Sequence, residues 1–238
     1  MKLLALDTAT DWCSVALWRD GEVISRDSPA ERGHGGQLLA MVDELLAQAG
    51  CALNALDAIA FGCGPGAFTG LRIAASVTQG LAYSIGLPVI PVSDLRALAQ
   101  RSLAGPGSGS VSRVLVCQDA RMSEVYWAGF TVVDAHARAA TVEAVARPED
   151  MLAAVRAWLA AGEAAGKAAG VGSGFAVYPA LSPLAAQLAP LLSEVRPRAQ
   201  EIAALAAHDG MGTALPAEQA LPVYVRNNVA IAPAGRSE

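Results

Sequence analysis

The chain has 238 residues, of which 53% are hydrophobic and 16% are charged, and its formal net charge is -5. This length and apolar content predict a globular protein with one or two hydrophobic cores. The acidic balance argues against a protein that grips nucleic acid by itself, because phosphate binding draws most of its free energy from Lys and Arg.

The first hundred residues begin with strands and continue with alternating helices and strands. Three strands are predicted at Leu3–Leu6, Cys13–Trp18 and Glu22–Arg26, and Asp20-Gly21 predicts a tight turn between the last two. The following elements are a helix that ends at Gly50, a strand at Ala58–Phe61, a helix from about Gly70 to Ile85, a strand in LPVIPV and a helix capped by Ser93. This order predicts a mixed sheet with helices packed on it.

The stretch AGPGSGS predicts a linker, placed at residues 104–112, between an N-terminal lobe at 1–103 and a smaller, diverged C-terminal lobe at 113–238. After the linker, a strand, Asp119, a turn and a second strand repeat the pattern around Asp7, which indicates a diverged duplication. The remaining predicted elements are a strand near Thr141–Ala146, a helix from about Pro148 to Ala161, a strand near Ala169, a helix near Ala199–Ala207 and the tail LPVYVRNNVA.

The loop GCGPGAFTGLRIA, residues 62–74, raises the question of phosphate binding, because a strand, a glycine loop and a helix follow one another. It lacks the Lys and Ser or Thr of a P-loop. It matches part of a dinucleotide fingerprint, but Pro65 and Phe68 crowd the loop and no acidic residue follows about 20 positions on. We therefore interpret the loop as a stiff turn that sets the start of the next helix.

Two helices carry wider apolar surfaces than one buried face requires. Helix 37–49 has an apolar arc of roughly 160°, against the ~100° of an ordinary surface helix. Helix 70–85 has one narrow polar stripe, at Arg72, Ser76, Gln79 and Tyr83. Two explanations are open and compatible: the helices cover each other, or they form an interface with another subunit.

No complete catalytic constellation is found in the sequence. The three histidines, at positions 34, 136 and 208, form no HxxxH pair, and there is no GxSxG motif. Asp7 and Asp119 each end a strand before a turn. Each is either a weak nucleotide or magnesium contact or a carboxylate that caps the turn, and we favour the cap.

Several stretches resemble the TsaB family, formerly called YeaZ, which is paralogous to TsaD. They are LALDTAT followed by CSVAL, HGGQLLAMVDELL, LDAIAFGCGPGAFTGLRIA, GLPVIPVSDLRALA, DARMSEVYWAGF and LPVYVR. The resemblance is densest over residues 3–99, and the loop at residues 64–72 is close to a family signature. It implies an α/β fold of two related lobes, of the actin-like and HSP70-like (RNase H-like) ATPase type, with mixed sheets flanked by helices.

The resemblance also implies a role in making threonylcarbamoyladenosine at the tRNA adenosine 3′ of the anticodon. In that system the TsaD-like paralogue holds the metal and transfers the threonylcarbamoyl group. The metal motif of the paralogue is HxxxH, whereas here His34 is followed four positions later by Leu38. We therefore expect no metal and no catalytic residue, and a non-catalytic dimerisation and scaffold subunit.

The expected partners are the TsaD-like catalytic paralogue and a TsaE-like ATPase subunit, with a homodimer when the chain is alone and tRNA reached only through the complex. The chain itself is expected to require no cofactor, and ATP or ADP would bind at the complex interface. The expected partner-interface residues are Leu38, Leu39, Met41, Val42, Leu45, Leu46, Phe68, Thr69, Arg72, Ile73, Ser76, Val77, Gln79 and Tyr83.

The sequence also leads to an expected location and leaves two alternative functions open. No apolar run approaches the roughly 18 residues of a membrane span, and the four cysteines form no CxxC pair, so we expect a cytoplasmic protein without membrane contact. The first competing function is a stand-alone actin-like ATPase or small-molecule kinase, with Asp7 and Asp119 around Mg-ATP. The second is a glycoprotease-type metallopeptidase, which would require a bound metal.

Overall fold

The computed structural model describes residues 1–30, 34–105, 108–161 and 167–226. Residues 106–107 of the predicted linker and 227–230 of the predicted tail lie outside the described residues. The strands are β1 (Lys2–Asp7), β2 (Trp12–Arg19), β3 (Glu22–Pro29), β4 (Ala58–Gly64), β5 (Val89–Ser93), β6 (Val111–Asp119), β7 (Val125–Val133), β8 (His136–Ala139), β9 (Ala144–Ala146), β10 (Lys167–Val171) and β11 (Leu191–Leu192). The α-helices are α1 (His34–Ala49), α2 (Phe68–Ile85), α3 (Asp94–Arg101), α4 (Pro148–Ala161), α5 (Gly174–Val177), α6 (Ser182–Ala185) and α7 (Ala199–Asp209).

The first sheet has the strand order β3-β2-β1-β4-β5. The first three strands form an antiparallel meander, and β4 and β5 extend it in parallel from β1. The predicted turn between β2 and β3 is confirmed, since Asp20 and Gly21 both have positive φ, at 52° and 95°. An antiparallel meander extended by parallel strands in this order is the arrangement of an RNase H-like lobe.

The second sheet repeats this arrangement. Its order is β11-β10-β6-β7-β8, in which β6, β7 and β8 form the meander while β10 and β11 run parallel to β6. Asp7 ends β1 and Asp119 ends β6, so the two carboxylates occupy equivalent positions. The predicted α/β fold of two related lobes, each a mixed sheet flanked by helices, is confirmed.

The structure departs from the predicted elements mainly in the second half. The third strand of the second meander is β8, with the sequence HARA, whereas the sequence predicted a strand near Thr141–Ala146. Of the four β8 residues, one is fully buried, so β8 carries no period-2 apolar signal. The short strand β9 lies within the predicted range but pairs with the other end of β7. Strand β6 begins at Val111, inside the range predicted as a linker.

The two halves of the chain exchange one helix each. Helix α3, from the first half, packs on the second sheet through Leu95 and Leu98, which share a core with Val114 and Phe130. Helix α7, from the second half, lies on the first sheet, where Ile202 and its neighbours share a core with strands β1, β4 and β5. The residue division of the two lobes stays a prediction, but their cores are interlocked through these helices.

The opposite face of the first sheet is covered by α1 and α2. A C-terminal segment, residues 215–220, also packs on α2, with Ala217 and Ala220 buried in the same core. Gln79 on α2 donates to the carbonyl oxygen of Glu218 at 3.1 Å. The wide apolar surface of α2 is therefore largely covered by the chain itself. Among helices in the described ranges, none has the length and hydropathy needed to cross a membrane.

Candidate functional site

The glycine loop closes against its own chain. Strand β4 continues to Gly64, which has a φ of 117° and donates its N–H to Asp94 Oδ2 at 2.6 Å. A Cβ atom at Gly64 would lie 2.6 Å from the carbonyl oxygen of Val223. Ala67 donates its N–H to the carbonyl oxygen of Ala9 at 2.8 Å. The space that a phosphate would need beside this backbone is thus filled by protein atoms.

Two buried carboxyl groups meet behind the loop. Asp7 ends β1 and Asp94 begins α3 after β5, and they are 2% and 1% exposed. A Cβ atom at Gly62 would lie 2.5 Å from Asp94 Oδ1 and 2.9 Å from Asp7 Oδ1, so only glycine leaves room for both groups. The Oδ1 atoms of both carboxyl groups therefore approach the same point beside Gly62.

Burial dominates the ionisation of this pair. Removal from water raises the pKa of Asp7 to about 7, although the N–H of Ala9, which Asp7 Oδ1 accepts at 2.7 Å, works in the opposite direction. Burial first, and then the neighbouring charge of Asp7, raise the pKa of Asp94 well above its ordinary value. Two buried carboxylates this close do not both ionise, so the pair holds at least one proton near neutral pH.

A third acid lies close to this pair. Burial raises the pKa of Glu143, while the hydroxyl of Ser93, which donates to Glu143 Oε1, works against that rise. The same hydroxyl accepts the N–H of Arg96 at 3.1 Å and so caps α3, which confirms the predicted cap. Ser93 therefore links the start of α3 to the segment before β9.

A cleft of about 980 Å³ lies between the lobes. Its lining includes Asp94 and Leu98 of α3, which are buried and form its floor. Arg121 and Arg196 also line it, and Arg121 is 88% exposed. The cleft is large enough for a small ligand, and both arginines are paired with acids of the same lining, Arg121 with Asp119 and Arg196 with Asp11.

The two predicted nucleotide or magnesium contacts are both used as turn caps. Asp7 accepts the N–H of Ala9, two residues later. Asp119 Oδ1 accepts the N–H of Arg121 at 2.9 Å and the hydroxyl of Tyr178 at 2.7 Å. Burial, together with Asp119, raises the pKa of Tyr178 to about 12, so that the hydroxyl remains a donor. This geometry accounts for both aspartates as caps; a role with nucleotide or magnesium stays a prediction.

The metal motif of the paralogue does not fit this chain. His34 Nε2 lies 3.0 Å from the carbonyl oxygen of Thr10, and Leu38 lies in the core of the first lobe. A leucine has no lone pair to offer a metal. Within the described ranges, no three His, Cys, Asp or Glu side chains are grouped closely enough to hold a metal ion.

The predicted interface residues divide into buried and exposed sets. Five residues of α1 are buried in the core of the first lobe: Leu38, Met41, Val42, Leu45 and Leu46. On α2, Ile73 and Val77 are half-buried against the same core. Their burial supports the explanation in which the chain covers the apolar surfaces of its own helices.

The exposed set lies on α1 and α2, and we call these residues together the helical face. It contains Leu39, Phe68 and Tyr83, which are 43%, 48% and 74% exposed. Thr69, Arg72 and Ser76 lie beside them, and Gln79 is half-buried. A Cβ atom at Gly80 would meet nothing within 4 Å, so this part of α2 is open.

Sequence reasoning missed Asp94, Glu143 and Arg226. Asp94 could have been found, since β1, β4 and β5 are parallel neighbours whose carboxyl ends meet at one sheet edge. Asp7 and Asp94 follow two of those ends. Glu143 and Arg226 lie on irregular segments, and their contacts depend on the tertiary fold.

Comparison with known proteins agrees with this architecture. A family model described as "TsaD: tRNA N6-adenosine threonylcarbamoyltransferase" matches residues 26–232. A solved Pseudomonas aeruginosa structure described as similar to peptidase YeaZ superposes with a TM-score of 0.82 at 42% identity, covering 94% of this chain and 99% of that one. The structure of YeaZ from Pseudomonas aeruginosa gives a TM-score of 0.77 at 41% identity, with the same coverage.

Two curated relatives are tRNA threonylcarbamoyladenosine biosynthesis proteins TsaB. The Haemophilus influenzae protein is 48% identical over 127 residues, which is 53% of this chain and 52% of that protein. The Escherichia coli protein is 46% identical over 130 residues, or 55% of each. The matched region spans about half the length of these relatives. With the family model and the solved structures, these matches show that the chain belongs to the TsaB (YeaZ) family of TsaD-related proteins.

Proposed function

We propose that this chain takes part in threonylcarbamoyladenosine biosynthesis as a non-catalytic dimerisation and scaffold subunit that supports a TsaD-like catalytic subunit. The observation that carries the proposal is Leu38, a core residue at the position of the second metal ligand of the paralogue. The chain retains the fold of the family but lacks the second histidine of the HxxxH metal motif that the paralogue carries. The relatives' names place TsaB in this pathway.

The surface proposed for docking is the helical face. It combines exposed apolar side chains with an open helix surface at Gly80, which allows a partner helix to approach closely. A few anchor residues, most often Trp, Tyr and Arg, contribute most of the free energy of typical interfaces, and this face offers Tyr83 and Arg72. The TsaD-like paralogue is the proposed occupant, and a second copy of this chain occupies the face when the paralogue is absent. A TsaE-like ATPase joins the complex, and this chain meets tRNA only as part of that complex.

The direct test is a binding measurement with the TsaD-like paralogue. Leu39→Glu and Tyr83→Glu should each raise the dissociation constant at least about tenfold, because each places a charge in an apolar contact. Val142→Glu is the matched control, because Val142 is 87% exposed and lies in the second lobe. Unchanged affinity for both helical-face variants, with unchanged melting temperatures, would refute this docking surface.

The homodimer is tested separately, by light scattering of the isolated chain. The wild-type chain should have the mass of a dimer, and Tyr83→Glu should shift it to the mass of a monomer. A wild-type monomer would remove the homodimer from the proposal and leave the heterodimer untouched.

A nucleotide at the complex interface belongs to the same proposal, with no cofactor required by the chain alone. The filled glycine loop gives no support to a stand-alone ATPase or kinase. Calorimetry with ATP and magnesium distinguishes a nucleotide site at the complex interface from a stand-alone ATPase or kinase. Binding that occurs only when the TsaD-like paralogue is present supports the interface site. Submicromolar binding with turnover by the isolated chain would favour the kinase or ATPase.

A further inference from the structure

Residues 221–226, which we call the C-terminal strap, run from one lobe to the other. On the first lobe, Val223 donates its N–H to the carbonyl oxygen of Cys63 at 2.7 Å. The ring of Tyr224 lies 5.5 Å from that of Phe68, and its hydroxyl accepts Arg72 Nε at 3.0 Å. The strap is therefore bound both to the end of β4 and to the first turns of α2.

On the second lobe, Arg226 binds the turn that joins β6 to β7. Its guanidinium donates to the carbonyl oxygen of Ala120 at 3.1 Å and forms an ion pair with Glu124. It also lies 3.4 Å from Met122 Sδ and above the ring of Tyr126, at 6.0 Å from its centre. The Arg226 side chain is 17% exposed, so this anchor is largely removed from water.

The turn that Arg226 binds has an unfavourable backbone. Arg121, Met122 and Ser123 have φ values of 61°, 55° and 61°, and none of them is glycine. Each such residue costs free energy, because Cβ crowds the carbonyl oxygen in the left-handed region. Two backbone hydrogen bonds close the turn: Ala120 donates to Glu124 at 2.9 Å, and Glu124 donates to Arg121 at 3.0 Å. Arg226 joins both ends of this turn, through Ala120 and Glu124.

The length of the strap limits how far its two anchors can separate. Three residue steps join Val223 to Arg226, so their Cα atoms can never be more than about 11 Å apart. Val223, Tyr224 and Arg226 all line the interlobe cleft. Val223 and Tyr224 are 49% and 42% exposed, so their side chains lie at its solvent-facing rim. A short tether at the rim, fixed to both lobes, restricts opening of the cleft.

We propose that the C-terminal strap is an interlobe clasp that holds the cleft at a fixed width, and that Arg226 is its latch on the left-handed turn. Helices α3 and α7 join the lobes through their cores, and the strap joins them at the rim of the cleft. Release of Arg226 frees the second lobe to rotate and lets the turn relax. The clasp shares Phe68 and Arg72 with the helical face, but all of its anchors are contacts within one chain.

The test measures the separation of the lobes directly. Spin labels are attached at Asn54→Cys in the first lobe and Asp150→Cys in the second, in a Cys51→Ser background. The other three cysteines are buried. Arg226→Ala should broaden the electron–electron distance distribution about twofold, because the lobes sample open states. Hydrogen exchange at the amides of Ala120 and Glu124 should accelerate about tenfold or more.

Two further variants control the experiment. Glu124→Gln removes the same ion pair by changing its partner in the turn, and should change both readouts in the same direction. Arg138→Ala, an exposed arginine on β8, should leave both unchanged. The clasp is refuted if Arg226→Ala and Glu124→Gln preserve the parental distance distribution. It is also refuted if exchange rises equally at the central strands β1 and β4, since that pattern reports a general loss of stability.

Discussion

The carboxyl groups of Asp7 and Asp94 face each other across Gly62 in the interior of the first lobe. Each is held by a backbone N–H group, that of Ala9 for Asp7 and that of Gly64 for Asp94. The pair lies where β1, β4 and β5 end, beside the glycine loop that follows β4. Because Asp94 accepts the N–H of Gly64 in that loop, the protonation state of the pair affects how strongly the loop is held.

The first prediction concerns the pH dependence of stability. Burial raises the pKa of Asp7 from 3.8 to about 7, and that of Asp94 rises as well. Above pH 4 the unfolded chain releases these protons while the folded chain keeps them, so the free energy of unfolding falls as pH rises towards 7. For Asp7 alone the loss amounts to about 4 kcal/mol above pH 7.

The double variant Asp7→Asn, Asp94→Asn should remove most of this fall, because Asn keeps the acceptor oxygens and carries no charge. Urea unfolding at a series of pH values between 4 and 8 measures it. Asp43→Asn, at an exposed position on α1, is the control and should follow the wild-type curve. Parallel curves for the double variant and the wild type would show that the pair is not protonated in the folded state.

The second prediction compares two glycines. Gly62→Ala places a methyl group 2.5 Å from Asp94 Oδ1 and should cost about 1–3 kcal/mol, because the carboxyl pair must move apart. Gly80→Ala meets nothing within 4 Å in the exposed middle of α2 and should stabilise the fold by about 0.5–1 kcal/mol. Thermal unfolding of both variants gives the comparison. Equal effects would mean that the contact at Gly62 is relieved without cost.

The third prediction separates the core of α1 from the helical face. Val42 is 2% exposed, so Val42→Asp buries an unpaired charge and should cost about 3–5 kcal/mol. Leu39 is 43% exposed, and Leu39→Asp should change stability by no more than about 0.5 kcal/mol. Melting temperatures distinguish the two. A stable Val42→Asp protein would mean that this side of α1 is open to solvent.

The fourth prediction concerns Arg96, which joins the two exchanged helices to the second sheet. From α3 it forms a forked ion pair with Asp209 of α7 and donates to the carbonyl oxygen of Ala137 on β8 at 2.7 Å. Arg96→Ala should cost about 2–3 kcal/mol, because partly buried acceptors lose their donors. Arg96→Lys should recover less than half of that, since an ammonium cannot form the fork. Full recovery by Lys in urea unfolding would show that charge alone matters.

Much of the fold could be predicted because its signals are local. Asp20-Gly21 marks a hairpin, Ser93 caps α3, and Pro148 begins α4, and each acts within a few residues of the chain. Strand β8 has no such signal. Helix periodicity could not separate Leu38 from Leu39, because both fall in one apolar arc and only the position of the sheet decides which is covered. The contacts of Asp94 and Arg226 join residues distant in sequence, so no local pattern encodes them.

The exchange of α3 and α7 determines when the first core can be completed during synthesis of the chain. The N–H of Ala199 donates to Ser14 Oγ at 2.8 Å, a contact between residues 185 positions apart. When the first sheet leaves the ribosome, the helix that covers one of its faces has not yet been synthesised. That face, which includes Leu3, Ala5 and Ile90, stays open to water until α7 emerges. Completion of the first core therefore waits until α7 has been synthesised, and the nascent chain exposes an apolar sheet face until then.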